Sequence, residues 1–123
     1  MSIARRLRLP QTVTIANGTA LSPAIDLGEM NLAAIVLPAT WTTANLTFQG
    51  GVKDPTTGTI TYADITDKSG AEYTVTAAQG KANLIPVSDL AGFRYLKVRS
   101  GTSSIPVNQG ADRVLTFVGV TAL

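Results

Sequence analysis

Hydrophobic and polar residues alternate along most of this chain in short runs, each closed by turn residues. Gln11–Ala16 sets Val13 and Ile15 on one side and Thr12 and Thr14 on the other. Asn17-Gly18 follows, the strongest two-residue hairpin signal a sequence offers, because both residues tolerate positive φ. Ala20–Leu27 carries Leu21, Ile25 and Leu27. Leu32–Leu37 is wholly apolar and stops at Pro38, the mark of a buried strand. Asn45–Val52 alternates Leu46, Phe48 and Gly50 with Thr47 and Gln49. Asp54-Pro55-Thr56-Thr57-Gly58 is a turn, with Pro presetting one φ and Gly free to take a positive one.

Further strands are predicted over Thr59–Thr66, with Ile60, Tyr62 and Ile65 inward, and over Glu72–Thr76, with Tyr73 and Val75 on one face. Ala82–Val87 holds Leu84, Ile85 and Val87. Phe93–Ser100 alternates apolar residues with Arg94, Lys97 and Arg99, and Arg113–Val120 closes the series. Nine short strands with regular turn signals predict an all-β chain: one antiparallel β-sandwich of jelly-roll or Greek-key type. No segment sustains a helical period; one turn near Ser88–Ala91 is the best helical candidate. The expected division is a basic, extended N-terminal arm over residues 1–10 and a sandwich domain over 11–123.

Composition narrows the chemistry. The 123 residues include no His and no Cys. That removes His-based acid–base and nucleophile-activating machinery near neutral pH, and nearly excludes zinc sites and redox pairs. No carboxylate pair stands out as a dyad, and Asp64, Asp67 and Ser69-Gly70 do not match a calcium loop. No enzyme activity, metal or cofactor is expected. Charged residues make up only 15% of the chain, below the roughly 25% of an average soluble protein, so small polar residues must cover much of the surface. Such a surface suits contact with other protein.

Arg5, Arg6 and Arg8 precede Pro10 with no acid among them, leaving seven bases against eight acids in the body. A near-neutral body does not read as a nucleic-acid surface. No run is long enough to span a membrane, and no apolar run follows the N-terminal bases, so no signal peptide is expected.

Several residues have both a functional and an ordinary reading. The arginine segment is an arm for an acidic groove on a partner, or a solvated tail. Trp41 is a binding platform, or a cap on one end of the core, and the core is the stronger reading. Arg94, Lys97 and Arg99 form a subunit contact or a solvated strand face. The loop 101–112, with Asn108 and Gln109, is long for a compact domain and rich in small residues, as interface loops are.

Two stretches resemble small virion proteins of tailed bacteriophages. One is Trp41-Thr42-Thr43-Ala44-Asn45-Leu46-Thr47-Phe48-Gln49-Gly50. The other runs from Gly92-Phe93-Arg94-Tyr95-Leu96-Lys97-Val98-Arg99-Ser100-Gly101-Thr102 through Pro106-Val107-Asn108-Gln109 to Arg113. The resemblance spans roughly Ile25 to Val118. It departs at the turn after Phe48, where the short Asp-Gly hairpin usual in those proteins is replaced by Lys53–Gly58.

The resemblance implies a virion structural protein made in the host cytoplasm. A compact body without a repetitive shaft fits a capsid decoration, or cement, protein on the capsid surface. Its expected partners are the major capsid protein and copies of itself, with a trimer favoured by the threefold junctions such proteins commonly occupy. Arg5, Arg6, Arg8, Trp41, Arg94, Lys97, Arg99, Asn108 and Gln109 are the candidate contacts. The alternative is a receptor- or carbohydrate-binding domain of a fibre or tail protein, with Trp41 and Tyr62 as sugar contacts.

Overall fold

A computed structural model describes residues 10–121. They form eight strands: β1 (Gln11–Ile15), β2 (Ile25–Asp26), β3 (Asn31–Val36), β4 (Leu46–Lys53), β5 (Ile60–Asp64), β6 (Ala82–Leu84), β7 (Tyr95–Ser100) and β8 (Arg113–Val120). A single 3-10 turn, Val87–Asp89, is the one helical element among the described residues. The strands make two antiparallel four-stranded sheets, ordered β1-β8-β3-β6 and β2-β7-β4-β5.

The core lies between the sheets. Val13, Ile15, Leu32, Ile35, Leu37, Leu115 and Phe117 from the first sheet meet Ile25, Leu46, Phe48, Leu96 and Val98 from the second, with Trp41, Ile85 and Leu90 closing the sides. The alternation in β1, β4 and β8 accounts for most of these positions. β3 needs a further device. Leu32 and Ile35 have opposite parity, yet both are fully buried; the register shift between Leu32 and Ala34 turns both inward.

Four sequence expectations change. The Asn17-Gly18 turn forms, with Gly18 at φ 79° and Thr19 N–H donating to Ala16 O at 3.0 Å, but it is not a hairpin. β1 pairs with β8, whereas the chain after the turn crosses to β7 in the other sheet. The turn is a corner, held by backbone bonds between Gly18 N and Gln109 O and between Gln109 N and Thr19 O.

Glu72–Thr76 is not a strand. It makes two isolated bridges, Thr66 to Glu72 and Leu46 to Val75, because it crosses from one neighbour to another instead of running along either. The strand predicted over Ala82–Val87 forms only over Ala82–Leu84, a short edge strand whose Asn83 faces Ile35, and Leu84 is 82% exposed. Ile60 and Tyr62 lie on the outer side of β5, and only Ile65 of that run reaches the core.

Tyr62 has room there because Gly51 stands opposite it in β4. A Cβ on Gly51 would lie 2.6 Å from Tyr62 Cε1 and 2.9 Å from Tyr95 Cβ. On the inner side, a Cβ on Gly50 would lie 2.5 Å from the Phe93 ring. The Gly50-Gly51 pair thus lets large side chains lie flat on both faces of one sheet.

Candidate interaction surfaces

Cross-strand register sorts the outward residues into rows. On the first sheet the rows are Thr14 and Val114; then Thr12, Thr116, Val36 and Ala82; then Val118, Ala34 and Leu84. All nine are apolar or Thr, and none is charged. Val114 and Val118 are 50% and 37% exposed, as well as Leu84. Four strands about 4.8 Å apart and five residues long cover about 300 Å². A patch of that size on a monomer is often functional.

The outer side of the second sheet is different. One row reads Asp26, Tyr95, Gly51 and Tyr62, the next Lys97, Gln49 and Asp64, and beyond it Arg99 lies opposite Thr47. Lys97 Nζ stands 4.3 Å from the Tyr62 ring centroid, and Arg94 Cζ stands 5.1 Å from that of Tyr95. Arg94 also forks onto Asp26, Nε to Oδ1 at 2.8 Å and Nη2 to Oδ2 at 3.1 Å. These hydrogen bonds hold the Asp26 carboxyl below its usual range, together with the bond from Gly28 N–H.

Arg99 is the centre of this face, and it is buried. Nη2 donates to Asp64 Oδ1 at 2.7 Å, and Nη1 to Glu72 Oε2 at 3.1 Å and Thr47 Oγ1 at 3.4 Å. The Arg99 bond lowers the Asp64 pKa, against the opposing effect of burial. Glu72 in turn accepts Ser103 N–H, so Arg99 ties the loop after β7 to the sheet. The carboxylates of Asp64 and Glu72 converge on this guanidinium, and among the described residues no cluster of three suits a metal ion.

The candidate contacts from sequence divide accordingly. Arg5, Arg6 and Arg8 lie outside the described residues. Trp41 is buried in the core, with Nε1 donating to Ala44 O at 3.2 Å; it is no exposed platform, because the segment after Pro38 folds over the end of the sandwich. This correction removes one of the two sugar contacts.

Arg94, Lys97 and Arg99 do not form a three-cation face. Arg94 precedes the strand out of phase with the other two, and Arg99 is neutralised inside the protein. Asn108 is exposed. Gln109 is fully buried and not available to a partner. Its Oε1 accepts Thr42 N–H at 2.8 Å, and its Nε2 donates to Thr42 O at 3.1 Å and Ser100 Oγ at 2.6 Å. Gln109 therefore joins the loop 101–112 to the segment that carries Trp41. A buried amide with all these bonds is a structural latch.

The uncharged sheet face was missed by sequence reasoning. Its signal is present in Val114-x-Thr116-x-Val118, which alternates with Leu115, Phe117 and Gly119: after Arg113 at its start, both sides of β8 are free of charge. One open hollow of about 600 Å³ lies elsewhere, lined by Thr66–Ser69, Tyr73, Ser88 and Asp89. In it Tyr73 Oη donates to Asp89 Oδ2 at 2.6 Å, and burial of the phenol, with that carboxylate, raises the Tyr73 pKa. Comparison with known protein families, curated proteins and solved structures finds no match to this chain.

Proposed function

We propose that this chain is a virion structural protein of a tailed bacteriophage, a capsid decoration protein that binds the major capsid protein at junctions on the outer surface of the shell. The observation that carries this reading is the uncharged outer face of the β1-β8-β3-β6 sheet. Apolar side chains and Thr on an open sheet face gain from being covered by protein, and the face offers no charge to steer a small polar ligand. The resemblance of Trp41–Gly50 and Gly92–Arg113 to phage virion proteins supports the same conclusion.

We further read the sandwich as a jelly roll. The strands divide as β1, β3, β6 and β8 against β2, β4, β5 and β7, and this division supports that topology, which recurs in capsid and lectin domains. Fold alone does not give function. The uncharged surface favours the capsid reading over the carbohydrate reading, which has lost Trp41.

A protein that binds only the assembled shell stabilises it by mass action. The test is co-sedimentation with purified heads of the phage that encodes the chain. The expected result is saturable binding to mature shells and a higher temperature of shell disruption. Placing lysine at two central positions of the face, Val114→Lys with Thr116→Lys, is expected to weaken binding at least about tenfold, because two uncompensated charges are desolvated. Absence of binding to any head form, with glycan binding that depends on Tyr62, overturns the reading.

A further inference from the structure

We propose that β1 is a self-association edge: two copies of the chain pair β1 against β1 in antiparallel fashion, joining their sheets into one of eight strands. The contact does not need the shell and is a property of the free protein.

The two sheets have four edge strands: β1, β6, β2 and β5. Natural proteins protect edges by making them short, by placing charge on them, or by a bulge. β2 has two residues and β6 has three. β5 ends in Asp64, which is committed to Arg99. β1 has none of these devices. Its five residues, Gln11-Thr12-Val13-Thr14-Ile15, are uncharged, mostly β-branched and in unbroken register with β8. Among the described residues no strand pairs with its other side. In an antiparallel ladder alternate residues turn both N–H and C=O away from the partner, so β1 presents donors and acceptors that a second extended strand satisfies.

A second copy of β1 fits this edge best. Identical strands pair antiparallel about a two-fold axis, the commonest closed symmetry. With Val13 opposite Val13, residue 12 of one copy faces residue 14 of the other. Val13 and Ile15 of both copies then stay inward and the threonines outward, which preserves the pleat. The pairing also sets the end of β1 that follows Arg5, Arg6 and Arg8 in sequence beside the other copy's Asn17 corner. There the Asp112 carboxylate accepts Asn17 N–H at 2.7 Å. The joined sheet carries one uncharged face across both copies, about twice the area of the single face. Copies associate in twos by this contact, not in the threes expected from the threefold junctions.

The experiment is sedimentation equilibrium on the full chain over a wide concentration range, with circular dichroism confirming that each variant folds. Wild type is expected to show a monomer–dimer equilibrium. Thr12→Lys with Thr14→Lys places like charges opposite each other twice across the axis and is expected to weaken the dimer about tenfold. Thr12→Glu with Thr14→Lys puts opposite charges in the same two places and is expected to restore it. Ala82→Lys, on the uncharged face but at the far strand, is expected to leave the dimer unchanged.

A wild-type monomer at every concentration overturns the proposal, as does a trimer. So does equal weakening by Ala82→Lys, which would identify face-to-face stacking instead. A dimer that appears only after residues 1–9 are deleted also overturns it, since the chain's own segment would then hold the edge. Shell binding is read separately on purified heads, so loss of this proposal leaves the decoration reading standing.

Discussion

The outer sides of the two sheets are built on the same antiparallel pairing, yet they treat polar groups in opposite ways. On the β2-β7-β4-β5 sheet almost every charge is used within the molecule: Arg94 forks onto Asp26, Lys97 sits over Tyr62, and Arg99 is buried between Asp64 and Glu72. On the β1-β8-β3-β6 sheet there is no charge to use, and three of the described chain's five exposed large hydrophobic residues, Leu84, Val114 and Val118, lie on it. The first surface is complete without a partner. The second leaves apolar area in water, and covering that area would be favourable. A face dense in charged residues can therefore be the less available one, because its groups already have partners.

The largest test of this contrast is Arg99→Met. It keeps the aliphatic bulk of the side chain but leaves Asp64 and Glu72 without their cation. Removing one partner of a buried pair costs several kcal/mol. Here the carboxylates are 42% and 20% exposed and regain some water, so a loss of about 2–3 kcal/mol is expected from urea unfolding. The loop around Ser103 should also gain amide exchange, because Glu72 no longer holds its position. If stability were unchanged, the charged face would not be internally committed, and the contrast would fail.

Acid should act on the same face and spare the other. The Asp64 and Asp26 carboxyls are held below their ordinary range, first by the hydrogen bonds from Arg99 and Arg94. They therefore bind protons less readily folded than unfolded. The stability they add is complete above about pH 4, the range of an unfolded carboxyl, and is lost as pH falls through their lower folded values. Urea midpoints measured on both sides of that range should drop toward acid in wild type and drop less in Asp64→Asn. Equal slopes in the two proteins would remove Asp64 from the account.

Much of this architecture was legible in the alternation of residues, and the part that was not has physical causes. Val13, Ile15, Phe48, Val98 and Phe117 were readable because period-two patterning survives wherever one face of a strand is buried. The partners of β1 were not, because Asn17-Gly18 specifies a tight turn and says nothing about which sheet the chain enters next. Tyr62 was misplaced because an aromatic in a strand reads as core, while its true position depends on Gly51 in a different strand. Arg99 and Gln109 were read as contacts because sequence shows a polar group but not its partner, and those partners, Asp64, Glu72 and Thr42, come from distant segments. The uncharged face went unread for the opposite reason: it consists of residues with no chemistry to mark them.

The smallest expected effect on stability is on the uncharged face, and it is the most diagnostic. Leu84→Ser removes an apolar side chain that is already 82% exposed, so little buried area is lost on folding. Stability should change by less than about 0.5 kcal/mol, the usual range for surface substitutions. On the proposed decoration reading shell binding should fall all the same, because the shell would cover this side chain. A stability loss of more than about 1 kcal/mol would mean that Leu84 is covered within the folded chain itself. The two faces would then be alike, each satisfied from inside, and the uncharged sheet would no longer be the surface that seeks a partner.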